Sequence, residues 1–224
     1  PSRWLAQEAC RGLWMSHPVT VIPNGLDLAE YIPLRRKMAR EALGIESKGT
    51  ILLASAKSLA DRRKGMSQLV EALRQITHPE LTLVTLGRQA PEVQVQSVRF
   101  QHLGYIDHER TKVLAYSAAD ALVHPALADN LPNVVVESIA CGTPVIALPT
   151  GGLPEMVRPG QTGWLAEEIS PSALAAAIEQ AIQDLRAGTD LRSTCRGVAE
   201  NEFGLELQAS RYIALFERLL TREK

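Results

Sequence analysis

Two carboxylates, Asp129 and Glu137, stand eight residues apart in the stretch DNLPNVVVE. Pro132 lies between them with its φ preset for the first turn of a helix. The run that follows, NVVVESIAC, is apolar apart from its ends and Glu137–Ser138, so the helix packs into a core. A carboxylate inside such a helix is costly unless it is paired or liganded. Directed back along the helix, it can accept hydrogen bonds from hydroxyl groups; the other reading is a glutamate that faces solvent. Arg62, Arg63, Lys64 and Gly65 form a second group, in the loop after a strand and at the head of a helix. A helix N-terminus favours anions and disfavours cations. Three cations there call for an anion, which a bound phosphate would supply while Gly65 lets the backbone come close; the plainer alternative is a solvated basic turn. A third group is PTGGLPE, where Gly151 and Gly152 allow close backbone approach to a ligand. Paired glycines also occur in many turns that bind nothing.

These residues need a scaffold, and the order of elements supplies one. Short β-branched runs at 50–56, 81–87, 98–104, 120–125, 143–148 and 163–166 read as strands. Between and after them, apolar spacing predicts helices over 64–76, 108–119, 133–141, 171–187, 189–201 and 205–221. Strands alternating with helices make βαβ units and a parallel, doubly wound α/β sheet. Ligands of such sheets bind outside the carboxyl ends of the strands. The loops at that edge are KSLADRRKG, GRQAPE, GYIDHE, HPALADNLP and PTGGLPE, and they carry most of these residues. Residues 17–33 read as a strand, a Pro-Asn-Gly turn and an aspartate that feed the repeating part. Residues 1–16 read as the tail or linker helix of something preceding.

Bulk properties exclude several classes. A formal charge of -1 in 224 residues gives no general attraction to nucleic acid or to an anionic membrane. The three cysteines, Cys10, Cys141 and Cys195, are widely spaced. They argue against a disulfide framework or a zinc site and fit a reducing compartment. Cys141 reads as small core packing. The five histidines lack metal-ligand spacing. Of these, His124 closes a strand at the ligand edge, as a satisfied strand-end residue or a hydrogen-bond donor. No apolar run is long enough to span a membrane, and no signal peptide, nucleophile elbow, Walker loop or dinucleotide fingerprint is visible.

Taken together, VIPNGLD, KSLADRRKGMSQLVEAL, FQHLGYID, YSAADALVHPALADNLPNVVVESIACGTPVIALPTGGLPEMV and GQTGWLA resemble the retaining GT-B glycosyltransferases of the glycogen-synthase-like family (family 4, group 1). The likeness covers nearly the whole chain, in order. It implies the Rossmann-like, donor-binding half of such an enzyme, over residues 17–203. It also implies a separate amino-terminal acceptor half, against which the last helix, within 204–224, would pack. The donor would be a nucleoside-diphosphate sugar, with no metal or further cofactor. The family's Glu-x7-Glu motif falls on Asp129 and Glu137, with aspartate in the first place. By resemblance, the first acid region touches the donor sugar and Glu137 the ribose hydroxyls. Lys64 matches the lysine that neutralises the diphosphate. The family arginine has no direct counterpart, and Arg63, in preference to Lys57, stands in for it. Backbone N–H groups around Asn130, Leu131, Pro132 and Asn133 would face the donor, together with Gly65, Gly151 and Gly152. The base would sit near Gly104, Tyr105 and Ile106. The acceptor would attack the face that the leaving group vacates, without a protein nucleophile. A cytoplasmic enzyme follows from the resemblance, with room for peripheral membrane association of the parent. A sugar-nucleotide binding module without transfer activity and a GT-B epimerase relative remain the alternatives.

Overall fold

The sheet has six strands, all parallel, in the order β3-β2-β1-β4-β5-β6. The strands are β1 (Thr50–Ser58), β2 (Leu81–Arg88), β3 (Val98–His102), β4 (Ala121–His124), β5 (Val145–Ala147) and β6 (Gly163–Leu165). This is a computed structural model, and it describes residues 1–12, 14–46, 48–78, 80–89 and 95–222. The chain runs outward from β1 to β3, returns to the centre, and runs outward again from β4 to β6. The order therefore reverses between β1 and β4. That crevice, beyond the carboxyl ends of the two strands, is where doubly wound sheets hold ligands.

The strands read as unbroken apolar runs because both faces are covered. Ile51, Leu52, Leu53, Leu83, Leu122 and Ile146 are fully buried. The covering helices include α3 (Met66–Arg74), α4 (Glu109–Ala118), α5 (Asn133–Ala140), α7 (Pro171–Arg186) and α8 (Arg192–Glu202). Helix α5 lays Val135, Val136, Ile139 and Ala140 into the core. At about 1.5–3 kcal/mol for each larger side chain buried, this contact fixes the helix on which Glu137 rides. Helix α7 starts where Ser170 Oγ accepts Ala173 N at 3.1 Å and Pro171 opens the first turn. The short α6 (Leu153–Met156) follows the glycine pair, and α9 (Leu205–Arg222) follows α8.

The structure corrects the sequence reading in several places. Residues 17–22 form no strand, and in the segment that follows Leu26 makes an isolated bridge to Gly204. The helix expected from residue 64 begins at Met66. Arg62–Lys64 are a 3-10 turn that ends on Gly65 in the left-handed region. The helix expected from 189 begins at Arg192, after an aspartate turn in which Asp190 Oδ1 accepts Arg192 N at 3.0 Å. Helix α2 (Arg36–Ala42), which the periodicity did not suggest, packs Ala39 and Arg40 inward. The segment 1–16 contains α1 (Arg3–Arg11). Of the loop GRQAPE, Ala90 to Glu92 lie outside the described residues, as do the last two residues of the segment 204–224.

Candidate functional site

At the reversal point, the loops after β1 and β4 are joined by hydrogen bonds. Asp61 caps the 3-10 turn by accepting Arg63 N at 3.0 Å, and Leu127 N donates to Arg63 O at 2.8 Å. Gly65 has φ 70°, and a Cβ there would stand 1.8 Å from Pro125 O. Its missing side chain is thus needed by the protein's own backbone. Lys64 is carried across to Asp129, with Nζ 2.7 Å from Oδ2.

Asp129 is the hub of this corner. It also accepts a hydrogen bond from His124 Nε2 at 3.2 Å and, through Oδ1, from Asn130 N at 3.0 Å. Burial would raise its pKa. The hydrogen bonds from His124 and Lys64 and the adjacent positive charge outweigh burial and hold the carboxyl far below the usual carboxylate range. Burial pulls His124 below its ordinary value, against the pull of Asp129. Its contact with Asp129 is therefore a hydrogen bond from a neutral imidazole at neutral pH, not a standing ion pair.

Because the folded pKa of Asp129 lies below the unfolded one, this group's stabilisation is present above about pH 3.8 and is lost as pH falls through the folded value. Asp129→Asn should cost about 2 kcal/mol at pH 7, as charged hydrogen bonds become neutral ones. It should also flatten the acid limb of a stability-versus-pH curve, read by urea unfolding between pH 3 and pH 7. An unchanged acid limb would mean that Asp129 is not ionised as described.

The turn after β5 closes over the same aspartate. Gly151 has φ 55°, and a Cβ there would meet Asp129 O at 1.7 Å, while one on Gly152 would meet Asn130 O at 2.0 Å. Thr150 Oγ1 donates to Ala126 O at 2.7 Å. Glu155 reaches the other way and accepts Arg3 N at 2.9 Å and Trp4 N at 2.8 Å. Ser2 Oγ donates to Asn130 Oδ1. The start of α1 is therefore docked on the two loops that surround Asp129. Sequence reasoning missed this role for Glu155 because its partners lie 151 and 152 residues away.

Helix α5 starts beside Asp129, with Pro132 as its N-cap residue and no side-chain cap. Asn133 and Glu137 are four apart and share a face, about 6 Å along the axis. Glu137 lines a cleft of about 180 Å³, with Lys57, Tyr105, Ile106, Lys112, Tyr116 and Val134 among the other walls. Tyr116 Oη donates to Glu137 Oε2 at 2.6 Å. Burial raises the Glu137 pKa, and the Tyr116 hydrogen bond and the Lys112 charge pull the other way. Lys112 Nζ is 2.9 Å from Glu109 Oε1. At the cleft mouth, the Arg88 guanidinium lies 4.8 Å from the centre of the exposed Tyr105 ring, a cation–π contact. Gly104 turns the chain there with open space beside it.

The expected residues thus fall into two adjoining groups. Lys64, Asp129, Asn130, Leu131, Pro132, Asn133, Gly151 and Gly152 form the corner at the crevice. Glu137, Tyr105 and Ile106 line the cleft, with Gly104 beside Tyr105. Arg63 stands apart: its side chain is 75% exposed and turned to Asp61, with Nη2 2.9 Å from Oδ2. Lys57, Lys112 and Arg88 bring further positive charge to the cleft, and of these only Lys57 was weighed from the sequence. Cys141 closes α5 inside the core, and burial pushes its thiol up to about 12.

The sequence and the fold are matched among known proteins. The profile described as "Glycosyl transferases group 1" covers residues 50–184, more than half of the chain. The chain belongs to this family. The group 1 domain is 32% identical over 216 residues to D-inositol 3-phosphate glycosyltransferase 1 of Catenulispora acidiphila, over 88% of this chain and 51% of that one. It superposes on sucrose-phosphate synthase of Thermosynechococcus elongatus with a TM-score of 0.84 and 29% identity, over 99% of this chain and 57% of that one. The Anabaena protein HepE in complex with UDP-glucose shares the fold, with a TM-score of 0.70 and 24% identity, over 88% of this chain and 57% of that one. The group 1 domain therefore spans about half the length of the curated relatives it matches, and its parallel sheet is that of one half of a GT-B glycosyltransferase. Among the described residues, no helix is long and apolar enough to cross a membrane.

Proposed function

We propose that the group 1 domain binds a nucleoside-diphosphate sugar, and that the whole protein transfers the sugar to a glycan or lipid-linked acceptor with retention of configuration. One observation carries the reading. Lys64 and the uncapped start of α5 converge on the sheet's reversal point, and Glu137 faces an adjoining cleft from the same helix. The diphosphate belongs at the first place and the nucleoside at the second. The similar proteins support the chemistry, since two are named for sugar transfer or sugar-phosphate synthesis and one holds UDP-glucose.

Departure of the nucleoside diphosphate develops negative charge on oxygen. Lys64 has two N–H donors beyond the one spent on Asp129, and its side chain is 31% exposed. With the α5 N–H groups, it stabilises that charge. Asp129 holds the Lys64 ammonium in place and borders the sugar. Tyr116 orients Glu137, whose carboxylate accepts from the ribose hydroxyls. No protein nucleophile and no metal enter the scheme.

Glu137→Gln should weaken sugar-nucleotide binding by roughly tenfold to a hundredfold, the worth of hydrogen bonds to a charged acceptor. It should weaken binding of the 2′,3′-dideoxyribose analogue much less. Equal losses for both ligands would place Glu137 elsewhere. Retention is tested on the whole protein by following donor hydrolysis by NMR. The first hexose released should have the donor's anomeric configuration, and the opposite anomer would overturn the retaining assignment.

A further inference from the structure

Away from the crevice lies a cleft of about 560 Å³, at the opposite, amino-terminal ends of β4 and β5 and within the size range of small-molecule sites. Asp120, just before β4, and Pro144, just before β5, form its floor, and Gly142 after α5 forms one side. Arg35, Arg36 and Arg192 line it, and Pro33, Leu34 and Leu191 add apolar wall.

The charges in this cleft do not cancel. Asp120 is already shared: Arg36 Nη1 lies 3.1 Å from it, Arg40 Nη2 2.9 Å, and Ile51 N donates at 2.7 Å. Asp190, the other acid, accepts the backbone N–H of Arg192 in the turn that starts α8. Three arginines thus line the cleft beside two carboxylates that are both engaged, and buried Arg40 shares Asp120 from behind. Arg36 Nε is shut off from solvent and has no hydrogen-bond partner. Arg192 donates to Leu34 O, and its side chain packs where Gly142 has none. Burial and the nearby Arg36 charge lower its pKa, against the pull of Asp190. A guanidinium fork matches phosphate geometry, and a dianion would relieve the repulsion.

We propose that this cleft is a second ligand site, which takes a small phosphomonoester: the phosphate between Arg36 and Arg192, under Arg35, and its organic body against Pro33, Leu34 and Leu191. The site is separate from the donor crevice. Helix α5 connects the two, beginning at the crevice and ending on Cys141–Gly142 at the cleft.

The test is thermal unfolding of the whole chain in inorganic phosphate or ribose 5-phosphate, with sodium chloride matching the ionic strength. Wild type and Lys64→Ala should both show saturable stabilisation, because Lys64→Ala removes only the crevice cation. Arg36→Gln/Arg192→Gln should raise the half-saturating concentration at least tenfold. Arg35→Gln, at an exposed position, should raise it several-fold and covers the event that the double variant folds poorly. Ribose 5-phosphate should saturate at lower concentration than inorganic phosphate, since only it reaches the apolar wall. A response lost in Lys64→Ala but kept in the arginine variants would assign it to the donor crevice and overturn the proposal. So would a response no larger than that to chloride. Sugar-nucleotide binding is read separately, through Glu137.

Discussion

Lys64→Ala is expected to lower sugar-transfer turnover in the whole protein by about 10²–10³-fold, the usual loss when one preorganised donor to a developing anion is removed. The loss should fall mainly on kcat. In the proposed reaction the ammonium meets more charge as the diphosphate leaves than in the bound ground state, so its interaction would be strongest in the transition state. Two features of the structure sharpen the expectation. Lys64 is held on a 3-10 turn that Asp61 caps and Gly65 ends. Arg63, the nearest alternative cation, is turned outward to Asp61. Removing Lys64 also leaves Asp129 with an uncompensated charge beside the departing anion. Lys64→Ala/Asp129→Asn should therefore recover part of the loss. A steady-state assay of nucleoside diphosphate release reads both variants, and a Lys64→Ala enzyme within threefold of wild type would remove the lysine from the mechanism.

Gly151→Ala is expected to destabilise the fold by about 3 kcal/mol and to lower Tm by roughly 6–12 °C for a chain of this size. Two costs combine. A residue with a Cβ is strained by about 1–2 kcal/mol in the left-handed region, where Gly151 sits at φ 55°. The new Cβ would also stand 1.7 Å from Asp129 O, so the backbone must move. That motion would pull Asp129 away from Lys64 and His124, and the variant should lose donor affinity as well as stability. Scanning calorimetry reads the first effect. A Tm within 2 °C of wild type would mean that the 150–152 turn is free to shift and does not fix the aspartate.

Sheet and helix order were legible because they rest on local signals. A buried parallel strand such as TILLASA reads as one apolar run. α5 was marked by Pro132 and by Val135, Val136 and Ile139. Strand order was less accessible, since only the reversal between β1 and β4 places DRRKG beside DNLP, and pairings of high sequence separation leave no local trace. Helix α2 escaped notice because it has seven residues and its inward positions are an alanine and an arginine. Residues 17–22 look like a strand by composition, but strand formation needs a neighbour to accept its hydrogen bonds. In the site, residue types and spacing pointed to Lys64, Asp129 and Glu137. Spacing was silent on their partners. That His124 donates to Asp129, that Tyr116 orients Glu137 and that Glu155 holds the start of α1 are matters of packing across the fold. The glycines read as places where backbone approaches a ligand, whereas in the structure the protein's own carbonyls, of Pro125, Asp129 and Asn130, make the close approach.

Calorimetric titration of this chain with UDP, GDP and ADP, each beside Lys64→Ala and Glu137→Gln, tests the central claim most directly. The expected result is one-site binding of at least one nucleotide. Lys64→Ala should weaken it by about tenfold, since a charged hydrogen bond to phosphate contributes about 1.5–3 kcal/mol, and Glu137→Gln should weaken it comparably. Binding of all three nucleotides unaffected by either substitution, or no binding of any, would contradict the assignment of this crevice as the donor site.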